Sequence, residues 1–247
     1  MTHGDRLVGA GAFTRGADEY AAVRPGYPAG AIAAAVPAHA RDVLDLAAGT
    51  GKLTAALAAA VPRVVAVEPS AAMRAELSRS LPDVEVLEGT AEAIPLPDAS
   101  MDAVTVAQAW HWFDEAVAGR EIARVLRPGG TLGVLWNERD ESVDWVAAFG
   151  AILDAHRTLP RPSDGLPHPG PSFGAVEQTE VAWEHDVPTG DLVRLAGTRS
   201  YVLVADDDVR AGVLAQVAEL VATHPDLRGR DRAALPYVTR VLTAVRA

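Results

Sequence analysis

The segment Val43-Leu44-Asp45-Leu46-Ala47-Ala48-Gly49-Thr50-Gly51 constrains this chain more than any other, because a short apolar run breaks into small residues and then opens a helix. Val43, Leu44 and Leu46 suit a strand covered on both faces, and the glycines let the backbone turn tightly and approach a ligand closely. Asp45 is the anomaly. A carboxylate in a buried strand needs a cationic or hydrogen-bonding partner, which a ligand amine or the turn's own N–H groups could supply. From Lys52 onward, Leu53, Ala56, Leu57 and Ala60 return at helical spacing, so the turn stands at a helix N-terminus. Unpaired N–H groups there attract a carboxylate or phosphate.

The middle of the chain repeats that rhythm, which implies βαβ units and a mostly parallel sheet. Val64 to Val67 reads as a second strand ending at Glu68-Pro69, with Ser70 placed to cap a helix running to about Ser80. Val84 to Leu87, Ala103 to Ala107 and Thr131 to Trp136 are the next strands, and Asp114 caps a helix through Leu126. Arg127-Pro128-Gly129-Gly130 reads as a sharp turn. Beyond Asn137 the pattern loosens. Ser142 to Arg157 looks helical, while Thr158 to Gly174 is rich in proline and glycine, lacks periodicity, and reads as a loop or cap. Val181 to Val187 and Tyr237 to Val245 suit strands, Thr189 suits a helix cap, and Tyr201 to Ala205 is open between helix and strand. Val209, Val213, Val217, Leu220 and Val221 mark one face of a further helix.

Composition narrows the function classes. A chain of 247 residues, 49% hydrophobic, can bury a full core, and one αβ domain is the simplest reading. With 22 basic against 33 acidic residues the net charge is −11, which disfavours a polyanionic partner, so no nucleic acid is expected. The absence of cysteine removes disulfides, thiolate catalysis and cysteine-bound metal, and His156, His168 and His185 lack metal-ligand spacing, so no metal is expected. No signal-like segment opens the chain and no apolar stretch would span a bilayer; the expectation is a cytoplasmic protein without membrane attachment, a monomer or homodimer.

Glu68 sharpens the first turn. It closes the second strand 17 residues after Gly51, where an acidic side chain can accept hydrogen bonds from both hydroxyls of a ribose. The dinucleotide fingerprint G-x-G-x-x-G fails, because Lys52 and Leu53 stand where its last glycine could fall. Asp45 to Gly51 followed by Glu68 resembles the class I S-adenosylmethionine-dependent methyltransferases, in its type 11 branch. The resemblance continues through Gly89-Thr90-Ala91-Glu92-Ala93-Ile94-Pro95-Leu96-Pro97-Asp98, Met101-Asp102, Gln108-Ala109-Trp110-His111-Trp112-Phe113, and Glu121 to Gly130. Together these motifs cover about Val43 to Asn137. The arm Tyr20-Ala21-Ala22-Val23-Arg24-Pro25-Gly26-Tyr27-Pro28 is similar to one found in a small-molecule subgroup.

The resemblance implies a Rossmann-like α/β methyltransferase sandwich: a mostly parallel seven-stranded sheet, helices on both faces and an antiparallel C-terminal strand. It implies one methyltransferase domain over 1–247, with 1–30 as an arm or lid and 138–180 as a substrate-cap insertion. Its cofactor would be S-adenosyl-L-methionine, held by Asp45, Ala47, Gly49, Thr50, Gly51, Glu68, Pro69, Met73, Thr90, Ala91, Glu92 and Gln108. Ala47 replaces the first glycine of the commoner motif, and Thr90 stands where relatives often carry an aspartate toward the adenine, a contact that passes to Glu92 or to backbone.

Methyl transfer from a sulfonium is an in-line displacement, and positioning and water exclusion can supply most of its rate. Whether a base is needed depends on the acceptor atom: oxygen, nitrogen or carbon. His111 follows the fourth strand at the edge where open αβ sheets place ligands, and is the candidate base or orienting group; alternatively it packs between Trp110 and Trp112. Those two tryptophans either line a substrate pocket or belong to the core. Tyr20, Arg24 and Tyr27 either close over the site, with Arg24 reaching a substrate carboxylate, or form an arm packed on the sheet. The reading is a methyltransferase acting on a small molecule. The alternatives are a protein or RNA methyltransferase, disfavoured because no Asn or Asp followed by Pro-Pro and an aromatic follows the fourth strand, and a non-catalytic binder of the same fold.

Overall fold

A computed structural model of the chain describes residues 22–155 and 166–247, so Tyr20 and the first part of the Pro-rich stretch lie outside the described residues. The apolar runs form β1 (Asp42–Leu46), β2 (Arg63–Val67), β3 (Glu85–Leu87), β4 (Met101–Ala107), β5 (Leu126–Arg139), β6 (Glu177–Pro188) and β7 (Arg232–Val245). They join one sheet in the order β3-β2-β1-β4-β5-β7-β6. β1 runs parallel to β2 and to β4, which sets Asp45 opposite both Ala66 and Thr105. β2–β3 and β4–β5 are parallel as well. β7 turns the other way: Gly129 N–H donates to the Arg246 carbonyl and Arg246 N–H to that of Gly130. The sheet is mostly parallel with an antiparallel last strand, as the resemblance implies.

The described residues pack as two units. The larger holds 26–137, 166–181 and 239–247, and the smaller holds 22–25, 138–155 and 182–238. In the larger unit the two-residue period of a strand sorts side chains onto two faces. Leu44 and Leu46 join Val104, Val106, Leu132 and Val134 beneath α4 (Glu115–Val125), which contributes Ala118 and Ile122. Val43 faces the other way, with Ala103 and Leu135, into a core closed by α1 (Ala29–Ala35) and α2 (Lys52–Ala58). α3 (Ala71–Ser80) follows β2. The smaller unit has its own core, where Phe149 and Leu153 of α5 (Asp144–Asp154) meet Leu192 and Leu195 of α6 (Asp191–Gly197) and Val213 and Val217 of α8 (Asp207–Thr223). The short α7 (Ser200–Leu203) settles the Tyr201 region as helix.

Three local expectations are corrected. Arg127-Pro128-Gly129-Gly130 is part of β5, not a turn between elements. The pairing steps from Met101 opposite Leu126 to Ala103 opposite Thr131, a bulge that absorbs the extra residues, with Gly129 at φ 78°. Ser70 precedes α3 without a side-chain cap; its backbone N–H donates to Glu68. Thr189 does not cap α6; its hydroxyl donates to the Arg230 carbonyl at 2.7 Å, and Gly190 is the cap residue. Asp114 does cap α4, accepting from Val117 N–H at 3.2 Å.

Candidate active site at the carboxyl edge of the sheet

Strand order reverses between β1 and β4, where each is the other's neighbour and their following connections depart to different sides. Such a switch point opens a crevice at the carboxyl ends of the strands. Ala47 follows β1, Glu68 follows β2 and Gln108 follows β4, so three sequence-selected residues begin the loops at that edge. Ala47 and Gln108 both sit at φ 58°, a left-handed conformation that side chains other than glycine adopt at a cost. Two strained residues on adjacent strands, both at the same edge, are the local signature of a built site.

The turn itself is held by its backbone. Ala48 N–H donates to the Val67 carbonyl and Gly51 N–H to that of Ala48. Gly49 has φ 57°, and a side chain there would begin 3.7 Å from the Met73 sulfur, so conformation rather than space demands glycine. Gly49 N–H donates to Glu68 Oε2 at 2.9 Å, and Ser70 N–H to Glu68 Oε1 at 2.8 Å. Burial pushes the Glu68 carboxyl up, while those two N–H groups and the Arg74 guanidinium oppose the shift. A carboxylate has about four lone-pair sites, so two remain for a ligand's hydroxyls. Arg74 fixes the bend after β2 by donating to the Glu68 and Pro69 carbonyls at 2.9 and 2.7 Å.

Asp45 is buried at 1% exposure, and its Oδ2 accepts from the Thr54 hydroxyl at 2.6 Å. Its Oδ1 is buried without a partner, as is the Thr50 hydroxyl in the same turn. Desolvation, helped by the charge of Glu68 and opposed by Thr54, pushes the Asp45 carboxyl up to about 7. A ligand ammonium would reverse that shift. Thr54 was not singled out from the sequence, although a polar residue on the apolar face of α2 was the available signal; Arg74 carried none.

The adenine-side loop is tied to the same edge. A side chain at Gly89 would begin 2.6 Å from Pro95 and 3.0 Å from Val67, so the loop closes tightly over the end of β2. Ala91 is buried, Thr90 is exposed, and Glu92 Oε1 accepts from Asp114 N–H at 3.0 Å. Gln108 continues β4 by donating its N–H to the Leu135 carbonyl. Trp110 to Trp112 form a single 3₁₀ turn. Trp110 belongs to the core, and its indole N–H donates to Glu115 Oε1 at 2.6 Å. His111 and Trp112 lie ring to ring at 4.6 Å, and His111 Nδ1 is buried without a partner. Burial pulls the His111 imidazole down to about 4, so at neutral pH it is uncharged and resists protonation.

Of the arm, Tyr27 packs against the α1 core of the larger unit, and Asn137 Nδ2 donates to the Gly26 carbonyl at 2.9 Å. Arg24 belongs to the smaller unit, where it donates to the Thr198 hydroxyl and carbonyl at 2.9 and 2.8 Å. Among the described residues no group of three or more acidic or histidine side chains could hold a metal ion, and no helix is long and apolar enough to cross a membrane.

A sheet of this order, with one buried carboxylate inside β1 and another directly after β2, is a Rossmann-like α/β sheet. Comparison with known proteins specifies the class: residues 44–134 match the family model described as "Methyltransferase domain". The chain is 46% identical over 237 residues to an uncharacterized methyltransferase of Mycobacterium tuberculosis, covering 96% of this chain and 93% of that protein. It is 33% identical over 191 residues to a demethylmenaquinone methyltransferase of Beutenbergia cavernae, covering 76% of this chain and 77% of that one. A solved structure described as a type II methyltransferase, from Anaeromyxobacter dehalogenans, superposes with a TM-score of 0.67 at 27% identity, covering 91% of this chain and 98% of that one. The chain belongs to the methyltransferase family.

Proposed function

We propose that this methyltransferase uses S-adenosyl-L-methionine, bound at the β1–β2–β4 edge, to methylate a small molecule. The observation that carries the reading is the pair of buried carboxylates, one with an orphaned oxygen and the other with two lone-pair sites to spare, beside a turn that contains an orphaned hydroxyl. Asp45 and Thr50 suit the ammonium and carboxylate of an amino-acid tail, and Glu68 suits two ribose hydroxyls. Ala47, Gly49 and Gly51 shape the backbone against the tail. Pro69, Met73, Thr90, Ala91, Glu92 and Gln108 flank the nucleoside.

When bound, S-adenosyl-L-methionine supplies a methyl group on a positively charged sulfur. The chain's own residues then position the acceptor and exclude water. His111 Nδ1, uncharged and without a protein partner, is suited to accept a hydrogen bond and orient the acceptor's nucleophile, whereas the lowered pKa makes it a weak base for removing a proton outright; Trp112 borders it. Trp110 packs in the core and donates to Glu115, so it supports this turn from beneath. A small acceptor is supported by the net charge of −11, which repels RNA, and by the Beutenbergia relative, whose name states a small-molecule quinone substrate.

The test is transfer of labelled methyl from S-adenosyl-L-methionine into a cell extract divided into small-molecule, protein and RNA fractions. Label in the small-molecule fraction is expected. Label confined to protein or RNA, or none at all, contradicts the reading.

A further inference from the structure

The smaller unit holds a concentration of buried cationic donors that its fold does not use. Arg199 stands between α6 and α7 with its backbone fixed on both sides: its N–H donates to the Ala196 carbonyl, and its carbonyl accepts from Val202 and Leu203. Its Nε is buried with no hydrogen-bond partner among the described residues. Among the described residues, the charges that act on it are two more cations, Arg24 and Arg139, together with the phenols of Tyr237 and Tyr201. Desolvation and those like charges hold the guanidinium down at about 9, far below its ordinary range.

The neighbours repeat the pattern. Arg139 has a side chain only 6% exposed; its Nη2 pairs with Glu141 at 3.2 Å and its guanidinium lies 5.4 Å from the Phe149 ring centroid, but its Nε is also buried without a partner. Tyr237 is 2% exposed, stacked on Trp183 at 5.3 Å, and its hydroxyl is likewise unpartnered. Arg24 is fixed by its two bonds to Thr198, the residue beside Arg199.

Buried donors are expensive to assemble unless something accepts from them. One group meets all the requirements at once: a small oxyanion with several lone pairs, for which guanidinium forks are well matched. We propose that Arg199, Arg139 and Tyr237, with Arg24 reinforcing the field, form an oxyanion site in the smaller unit that takes a carboxylate- or phosphate-bearing small molecule. The identification of that molecule as the methyl acceptor rests on the reading above; the binding of an oxyanion does not.

The experiment is thermal unfolding of the whole chain against rising succinate or inorganic phosphate, with sodium chloride at matched ionic strength as control. A saturable rise in midpoint with either oxyanion, absent with chloride, is expected. A response to succinate alone marks a carboxylate ligand, and a response to phosphate alone marks a phosphate ligand. Arg199→Gln should weaken the response at least tenfold, while unfolding no earlier than the parent in the absence of oxyanion, because it removes a buried cation whose Nε has no acceptor. Tyr237→Phe, which deletes one donor and keeps the ring stack, should weaken it about threefold. No saturable response in the parent, or responses unchanged in both variants, overturns the site. S-adenosylmethionine titrated into the same preparation separates the two claims: oxyanion binding without cofactor binding leaves the site standing and defeats the methyl-transfer reading, and the converse does the reverse.

Discussion

At Ala47 an L-residue keeps φ at 58°, which costs about 1–2 kcal/mol of backbone strain. Glycine would remove that strain but add about 0.5–1 kcal/mol of unfolded-state freedom. Ala47→Gly is therefore expected to stabilise the protein by about 0.5–1 kcal/mol in urea unfolding; a loss of stability would show that the methyl group packs usefully. Asp45 provides the pH dependence. Its folded pKa, about 7, lies above the ordinary 3.8, so its contribution to stability is fully present below about pH 4 and lost as pH rises through 7. The loss is on the order of 4 kcal/mol at most. Asp45→Asn should accordingly be more stable than the parent at pH 8 and no more stable at pH 4, by thermal unfolding. Asp45 and Glu68 were legible because a carboxylate ending a buried strand is chemically conspicuous. Arg199 was not, since a single arginine between short helices looks the same in sequence whether it faces water or the interior.

Among the elements, the strands were legible almost to the residue where apolar runs stood between turn signals, as at β1, β2 and β4. Caps were less so. Asp114 and Ser70 are equally good cap residues by type, yet only Asp114 accepts from its helix, while Ser70 donates its backbone N–H to Glu68. Asp114→Ala should cost about 1 kcal/mol of stability, and Ser70→Ala less than about half of that, in parallel denaturant titrations. Equal costs would contradict the assignment. The Arg-Pro-Gly-Gly segment misled for a related reason: its residue types encode a sharp bend, and whether that bend ends a strand or bulges it depends on β4 and β7, which pair on either side.

For the whole molecule, alternating strand and helix patterns were enough to give a parallel α/β sheet, but the division into two units was not visible. It runs through continuous strands, at Asn137 and Glu138 in β5 and at Val238 and Thr239 in β7, where no linker composition marks it. Residue motifs therefore pointed to the proposed cofactor edge, while the smaller unit, whose share of the quoted motifs is the end of the arm at Arg24, had to be read from packing and charge. The central claim is that the turn after β1 is a S-adenosylmethionine site whose aspartate is paired by the cofactor. Calorimetric titration of S-adenosylmethionine at pH 6.5–7, repeated in buffers of different ionisation enthalpy and with Asp45→Asn, tests it most directly. The account predicts one-to-one binding that releases part of a proton and weakens at least about tenfold, or 1.4 kcal/mol, in Asp45→Asn. Binding without proton release and indifferent to that substitution, or no binding, would contradict it.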